Sequence, residues 1–259
     1  MTRVSRVAVL AALFAAWSGS AGAADLPLPM KAPPAVAAGA DWSGWYAGPN
    51  LGVVRGDEAI AWTAAPSVGG FLPAGAADVN ASSPGHVTTA GFTGGGQIGY
   101  NRQIQSLVVG LEADLDYTEV NGTRNLLSGT FQNPYTQSVQ SNWLGTIRGR
   151  LGAPYRSWLF YATGGLAVAH ESFTDNFLGL HGVGPINSSV GATRAGWAAG
   201  AGVEWAVAGA WSVKAEYLHV DLGTLTDVGA SAINAATITH AHGLTEDIGR
   251  VGFNYRFAH

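Results

Sequence analysis

This 259-residue chain contains no cysteine, which excludes disulfides, thiolate metal sites and any cysteine nucleophile. Its chemistry must therefore rest on carboxylates, basic side chains and seven histidines. The charged residues follow a spacing. Glu112, Asp114 and Asp116 stand two residues apart, as do Arg148 and Arg150, and Lys214 with Glu216. Glu204, Arg250 and Arg256 complete the set. An i, i+2 spacing places side chains on one face of a strand, so five acids and five bases share strand faces. Among the histidines, His170, His181, His240 and His242 fall near or in the long connections. His240-Ala241-His242 could hold a metal on one strand face, but a solvated loop pair is the preferred reading. Asp175 and Asp247 show no recognisable spacing with these histidines. Gly94-Gly95-Gly96 is no phosphate loop, because no helical pattern follows it. No catalytic, cofactor-binding or metal-ligating residue is assigned, no cofactor is expected, and the chain does not read as an enzyme.

The elements that position the charges are strands. Period-2 alternation begins at Trp45 and recurs in eight segments long enough to cross an outer membrane: Trp45–Arg55, Thr89–Asn101, Leu107–Tyr117, Val139–Gly152, Trp158–His170, Thr193–Ala206, Trp211–Asp221 and Thr245–Phe257. Short links at Arg102–Ser106, Ala153–Ser157 and Val207–Ala210 alternate with long ones at Gly56–Thr88, Thr118–Ser138, Glu171–Ala192 and Leu222–Leu244. Outer-membrane barrels alternate in this way, with short turns in the periplasm and long loops outside. The even strand number returns both ends to the periplasm. Pro49 removes a ladder hydrogen bond and is expected to mark a bulge.

In each segment one face is apolar and the other carries charge and glycine. Leu107, Val109, Leu111, Ala113, Leu115 and Tyr117 alternate with Val108, Gly110, Glu112, Asp114 and Asp116. Trp143, Ile147 and Leu151 alternate with Thr146, Arg148 and Arg150. A soluble barrel would turn the apolar face inward; a membrane barrel turns it to lipid. Trp45, Trp143, Trp158, Trp197, Trp205 and Trp211 sit near segment ends, where interfacial girdles belong. An eight-stranded barrel is only wide enough for its own side chains, so charges inside it lose hydration and need partners. Segment three is acidic where segment four is basic. Glu216 faces arginines of segment eight, and Lys214 is expected to reach Glu204. Glycines on this face leave room for the long side chains.

Targeting agrees with a membrane barrel. Arg3 and Arg6, the apolar run Val7 to Trp17 and the small residues Ala21-Gly22-Ala23 form a secretory signal over residues 1–24, cut after Ala23 or Ala24. Losing Arg3 and Arg6 from the 13 basic residues leaves 11 against 17 acidic ones. Residues 25–41 are rich in Pro and Ala and read as an extended periplasmic linker. Residues 42–259 form the barrel. No segment after the signal is apolar for long enough to make a spanning helix. The net charge of −4, without basic runs, argues against nucleic acid.

Phe253, Tyr255 and Phe257 alternate on the lipid face of the last segment, matching the carboxy-terminal signal read by outer-membrane assembly machinery, although Ala258 and His259 follow. Several stretches also resemble the small outer-membrane proteins of alphaproteobacteria, the porin-family or opacity-type β-barrels. These are Ala24-Asp25-Leu26-Pro27, Trp42-Ser43-Gly44-Trp45-Tyr46-Ala47-Gly48, Gly95-Gly96-Gln97-Ile98-Gly99-Tyr100-Asn101 and Trp143 to Gly152. Tyr161 to Ala167, Gly200 to Trp205, Lys214 to Leu218 and Val251 to Phe257 extend the likeness. The resemblance implies an integral outer-membrane protein that supports the envelope, in contact with outer-membrane lipid and lipopolysaccharide. It brings no catalytic residues. Three roles stay open: a structural barrel with a charged, largely plugged lumen, a low-conductance porin for small solutes, and an adhesin or ligand binder acting through the long loops. A homo-oligomer is also left open.

Overall fold

The computed structural model describes residues 39–81, 85–128, 133–179 and 183–257. The expected signal, most of the linker and His181 lie outside the described residues. Eight strands form a closed antiparallel barrel in chain order: β1 (Gly44–Ala64), β2 (Gly85–Ile104), β3 (Leu107–Ser128), β4 (Asn133–Tyr155), β5 (Trp158–Phe177), β6 (Ile186–Ala208), β7 (Trp211–Ser231) and β8 (Thr237–Arg256). β1 pairs with β8 and closes the ring, so no strand is an edge strand, although β6 and β7 have no register partners between Asn187↔Ala230 and Trp197↔Asp221.

Three of the connections are tight. Gln105-Ser106, Arg156-Ser157 and Gly209-Ala210 join β2–β3, β4–β5 and β6–β7. The first residue of each takes positive φ, at 54°, 55° and 54°. A two-residue hairpin needs that geometry to match the twist of its strands. All three lie at the end of the barrel where the described chain begins, opposite the long connections.

At the other end the structure differs from expectation. The strands run 20 to 23 residues, about twice the 9–11 needed to cross a membrane. Much of the sequence expected as external loop is strand. Thr118–Ser128, for example, continues β3 and pairs with β4 as far as Ser128↔Asn133. The outward face explains why alternation fades there. Up to Tyr117 it is apolar, with Leu111, Leu115, Ile147, Leu166 and Val53 exposed, as a lipid-facing belt requires. Tryptophan and tyrosine flank the belt. Trp45 meets Tyr100, Trp158 stacks on Trp205 and Trp211 meets Tyr255 at the turn end. Tyr117, Trp197 and Tyr217 stand exposed on the other side. Beyond that second girdle the outward residues are mostly polar, with Leu127 and Val228 among the exceptions. Thr123 faces Ser138, Thr174 faces Ser189, and His86 meets Asp57 at 2.7 Å. These positions face water, so no apolar period survives to mark a strand.

Pro49 does not make a bulge. β1 stays in register with β2 through Pro49↔Gly96, and its register with β8 is the same on either side, from Ala47↔Tyr255 to Asn50↔Gly252. The register shifts among the described residues fall elsewhere: at Asn187/Trp197 and Ala206/Ala208 between β6 and β7, at Asp221/Thr224 between β7 and β8, at Tyr117/Val120 between β3 and β4, and at Ser141/Trp143 between β4 and β5. The last lets both Ser141 and Leu144 point inward.

The interior is filled in layers. Trp42, Val108, Leu159 and Tyr161 form an apolar floor at the turn end. The charged residues lie above it. Next comes an apolar tier of Val54, Val120, Leu144, Ala167, Ala169, Leu218, Val220, Leu244 and Ile248. A second polar tier follows, with Glu58, Gln137, Glu171, Asp175, His240 and His242 buried. The far mouth is covered by a second apolar cluster that includes Trp62, Phe71, Ala76, Val79, Tyr135, Phe177, Ile186 and Ile238.

The cover comes from the β1–β2 connection, which carries a short helix, α1 (Pro73–Ala81), opened by proline where its missing N–H costs nothing. Trp62 Nε1 donates to the Val79 carbonyl at 2.7 Å, and Asn80 exchanges two hydrogen bonds with the backbone of Ala64. Across the mouth, Ala235 N donates to the Gly69 carbonyl at 2.9 Å and Ser67 Oγ to the Ala235 carbonyl at 3.2 Å. The connection is thus tied to both sides of the opening. Ile60 and Trp62 at the end of β1 and Phe71 in the connection turn inward, while Val68 and Leu72 remain exposed.

Candidate functional site: the charged lumen

The eight strands bring nine of the ten charged residues into one buried network. Arg148 is its hub. Fully buried on β4, it donates to Glu112 at 2.8 Å, Asp114 at 2.6 Å and Glu216 at 3.2 Å, and to Thr146 Oγ1 at 2.8 Å. The Glu112↔Arg148 register sets the first of these pairs. Arg250 on β8 reaches Asp116 at 2.6 Å, Glu216 at 2.7 Å and Asp114 at 3.1 Å. Lys214 donates to Glu112 at 2.8 Å and lies 3.8 Å from Glu216. Arg150 pairs with Glu204 and stacks over the Tyr161 ring at 3.6 Å. Forked contacts of this kind use the planar guanidinium, although Arg150 Nε has no hydrogen-bond partner.

Two expectations need correction. Lys214 does not pair with Glu204, although the two are register partners. Arg150 occupies that carboxylate together with Ser212 and Asn254, so the lysine leans across the lumen to Glu112. Arg256 does not enter the cluster. It sits at the end of β8, where it donates to the carbonyls of Asp41 at 2.7 Å and Gly209 at 3.2 Å and stacks over Trp42. The parity of its neighbours suggested an inward residue, but at the barrel end a long arginine reaches the rim instead.

Five buried acids therefore face four buried bases, and neutral donors meet several of the remaining carboxylate oxygens, though Asp114 Oδ1 has no hydrogen-bond partner. Tyr46 Oη donates to Glu112 at 2.7 Å, Tyr161 Oη to Glu216 at 2.8 Å and Asn50 to Asp116 at 2.8 Å. Gln97 bridges toward Asn254 at 2.7 Å. The two tyrosines do not read as lumen groups in the sequence, because an aromatic residue in a membrane strand reads as a girdle residue. Their inward parity was the available signal, since Tyr46 shares the face of Gly48 and Asn50. Glycine makes room for both tyrosines. Each ring lies over its register partner, Gly99 or Gly202, where an added Cβ would come within 2.4 or 2.5 Å of the tyrosine Cζ.

His240 and His242 also depart from expectation. They belong to β8 rather than to a loop, point into the barrel, and are 1% and 0% exposed. The strand extension beyond the membrane belt turned a solvated pair into a buried one. An indentation of about 760 Å³ lies on the outer wall, where Gly149 and Gly164 leave a gap between Tyr100, Leu111 and Leu151.

The geometry is that of a barrel with an apolar belt, two aromatic girdles and an interior of paired charge. Comparison with known proteins agrees. The family model described as outer membrane protein beta-barrel domain matches residues 10–257. The chain is similar to the 31 kDa outer-membrane immunogenic protein of Brucella melitensis, with 33% identity over 256 residues covering 96% of this chain and 98% of that protein. It is similar to the 22 kDa outer membrane protein of Rhizobium leguminosarum bv. viciae at 33% identity, over 59% of this chain and 63% of that protein. The 25 kDa outer-membrane immunogenic protein of Brucella abortus matches at 26% identity over 99% of both chains. This chain belongs to the outer membrane protein β-barrel family and is a protein of the bacterial outer membrane.

Proposed function

We propose that the protein is a structural barrel of the outer membrane whose lumen is sealed. One observation carries this reading: apolar and polar tiers alternate along the whole interior, from the Trp42 floor to the Trp62 cap. An ion crossing such a lumen would have to displace the Arg148 network and then pass an apolar tier of Val, Leu, Ile and Ala side chains that offers it no ligand. Paired charge of this kind serves to stabilise the wall. In this reading the strand extensions and the cap form the surface seen from outside, in keeping with relatives named as immunogenic proteins. Phe253, Tyr255 and Phe257, exposed along the outward face of β8, serve as the signal read by the assembly machinery.

The test is single-channel recording on protein isolated from outer membranes and reconstituted in planar bilayers. A silent bilayer containing inserted, heat-modifiable protein is expected. Reproducible conductance steps whose ion selectivity changes in Arg148→Met would overturn the sealed lumen and establish a low-conductance pore.

A further inference from the structure

The upper polar tier holds a second cluster that the Arg148 network does not use. Four strands contribute to it: Glu58 from β1, Asp175 from β5, Asp227 from β7, and His240 with His242 from β8. One donor atom each from Asp175, Asp227 and His240 lie within 4.8 Å of one another. His240 is 1% exposed, and neither of its ring nitrogens has a hydrogen-bond partner; Nδ1 only approaches Asp227 Oδ2, at 3.5 Å. A buried imidazole without partners is costly, and this one faces two carboxylates.

His242 stands at the same spot. Its Nε2 lies 3.2 Å from both Asp175 Oδ2 and Asp227 Oδ1, while Nδ1 meets Glu58 Oε1 at 2.9 Å. A carboxylate behind one ring nitrogen is the arrangement that orients a metal-ligating histidine through the other. The two aspartates are oriented as well: Tyr135 Oη donates to Asp175 and Ser188 Oγ to Asp227. Phe173 stacks on the His242 ring at 4.5 Å.

The charge balance points the same way. Two buried carboxylates, Glu58 and Asp175, and the part-buried Asp227 face His242, their one basic partner under 3.5 Å among the described residues. Arg194, the basic residue on β6, is held by Glu171 at 2.8 Å and by the Leu222 carbonyl. Buried negative charge of this size needs a compensating cation.

We propose that Asp175, Asp227 and His240, with His242 beside them, form a binding site for a divalent first-row transition ion, of which zinc is the best fit. Imidazole with carboxylate and no sulfur suits zinc and excludes the thiolate-dependent ions, while two histidines disfavour calcium and magnesium. Small side-chain rotations would bring the donors to the roughly 2.0–2.2 Å that zinc requires. The ion would tie β5, β7 and β8 together beneath the cap, in the part of the barrel that lipid does not support. The cap covers the site, so the metal would enter during folding.

The test is to unfold the full protein in urea and refold it into detergent with or without zinc chloride. Loosely held metal is removed on a chelating resin, and zinc per chain is measured by elemental analysis. The expected result is about one zinc per folded chain, falling at least roughly tenfold in His240→Ala and in the double variant Asp175→Asn, Asp227→Asn. His86→Ala, which removes a histidine on the outer surface, should bind as the unsubstituted protein does. Cobalt refolded in place of zinc should give the visible absorption of a low-symmetry nitrogen and oxygen site. A folded, heat-modifiable but zinc-free unsubstituted protein would overturn the proposal, whatever the variants do. So would a folded His240→Ala barrel that keeps its zinc.

Discussion

Replacing Arg148 by methionine keeps much of the side-chain volume and removes the hub of the lumen network. The guanidinium contacts three carboxylates, at 2.8, 2.6 and 3.2 Å, and is wholly buried. Without it, Glu112, Asp114, Asp116 and Glu216 share only Lys214 and Arg250. Breaking a buried pair by removing one partner costs about 3–5 kcal/mol, because the remaining charge stays desolvated. With a urea dependence of about 2–3 kcal/mol per molar, the unfolding midpoint should fall by about 1–2.5 M. The assay is a urea titration of barrel refolded in lipid, scored by the heat-modifiable gel shift. Arg102→Ala, an exposed residue near the turn end, should move the midpoint little, since surface changes stay within about 0.5 kcal/mol. Adding Glu112→Gln to Arg148→Met removes one of the orphaned charges and should recover part of the loss, a coupling that a double-mutant cycle measures. If Arg148→Met unfolds at the same urea concentration as the parent, water reaches these carboxylates. The lumen is then not a dry interior of paired charge.

Two further outcomes follow from packing. Gly99→Ala would put a methyl 2.4 Å from Tyr46 Cζ and 2.8 Å from the Leu111 carbonyl. It should destabilise the same assay by about 1–3 kcal/mol, whereas Gly249→Ala, which meets nothing within 4 Å, should be tolerated. Equal midpoints for the two variants would remove the glycine–tyrosine packing from the account. Trp62→Ala takes away the largest side chain of the cap and its bond to the Val79 carbonyl, a loss of about 3–5 kcal/mol. Because that loss falls on the β1–β2 connection, proteinase K should cut between residues 65 and 84 much faster while the barrel below stays intact. Unchanged cleavage would mean that the cap is already open in solution.

The period-2 pattern was enough to reveal the strand number, the order of short and long connections, the lipid-facing belt and the nine charged residues that meet around Arg148; the tenth it named, Arg256, lies at the rim. It succeeds where one face must be apolar for lipid and the other polar for a narrow interior, since those two demands imprint opposite chemistry on alternate residues. The fold supplied what lies outside that constraint. Beyond Tyr117 and Trp197 both sides of the wall accept polar residues, so the strand extensions carry no period and read as loops. That is why the burial of His240 and His242 and their meeting with Asp175 and Asp227 could not be read from residues so far apart in the chain. Partner choice was also hidden. Register makes Lys214 the neighbour of Glu204, but Arg150 takes that carboxylate and the lysine crosses to Glu112. Alternation assigns a face to each residue; which charges pair within the lumen depends on side-chain reach across a closed ring, and only the tertiary structure sets those distances.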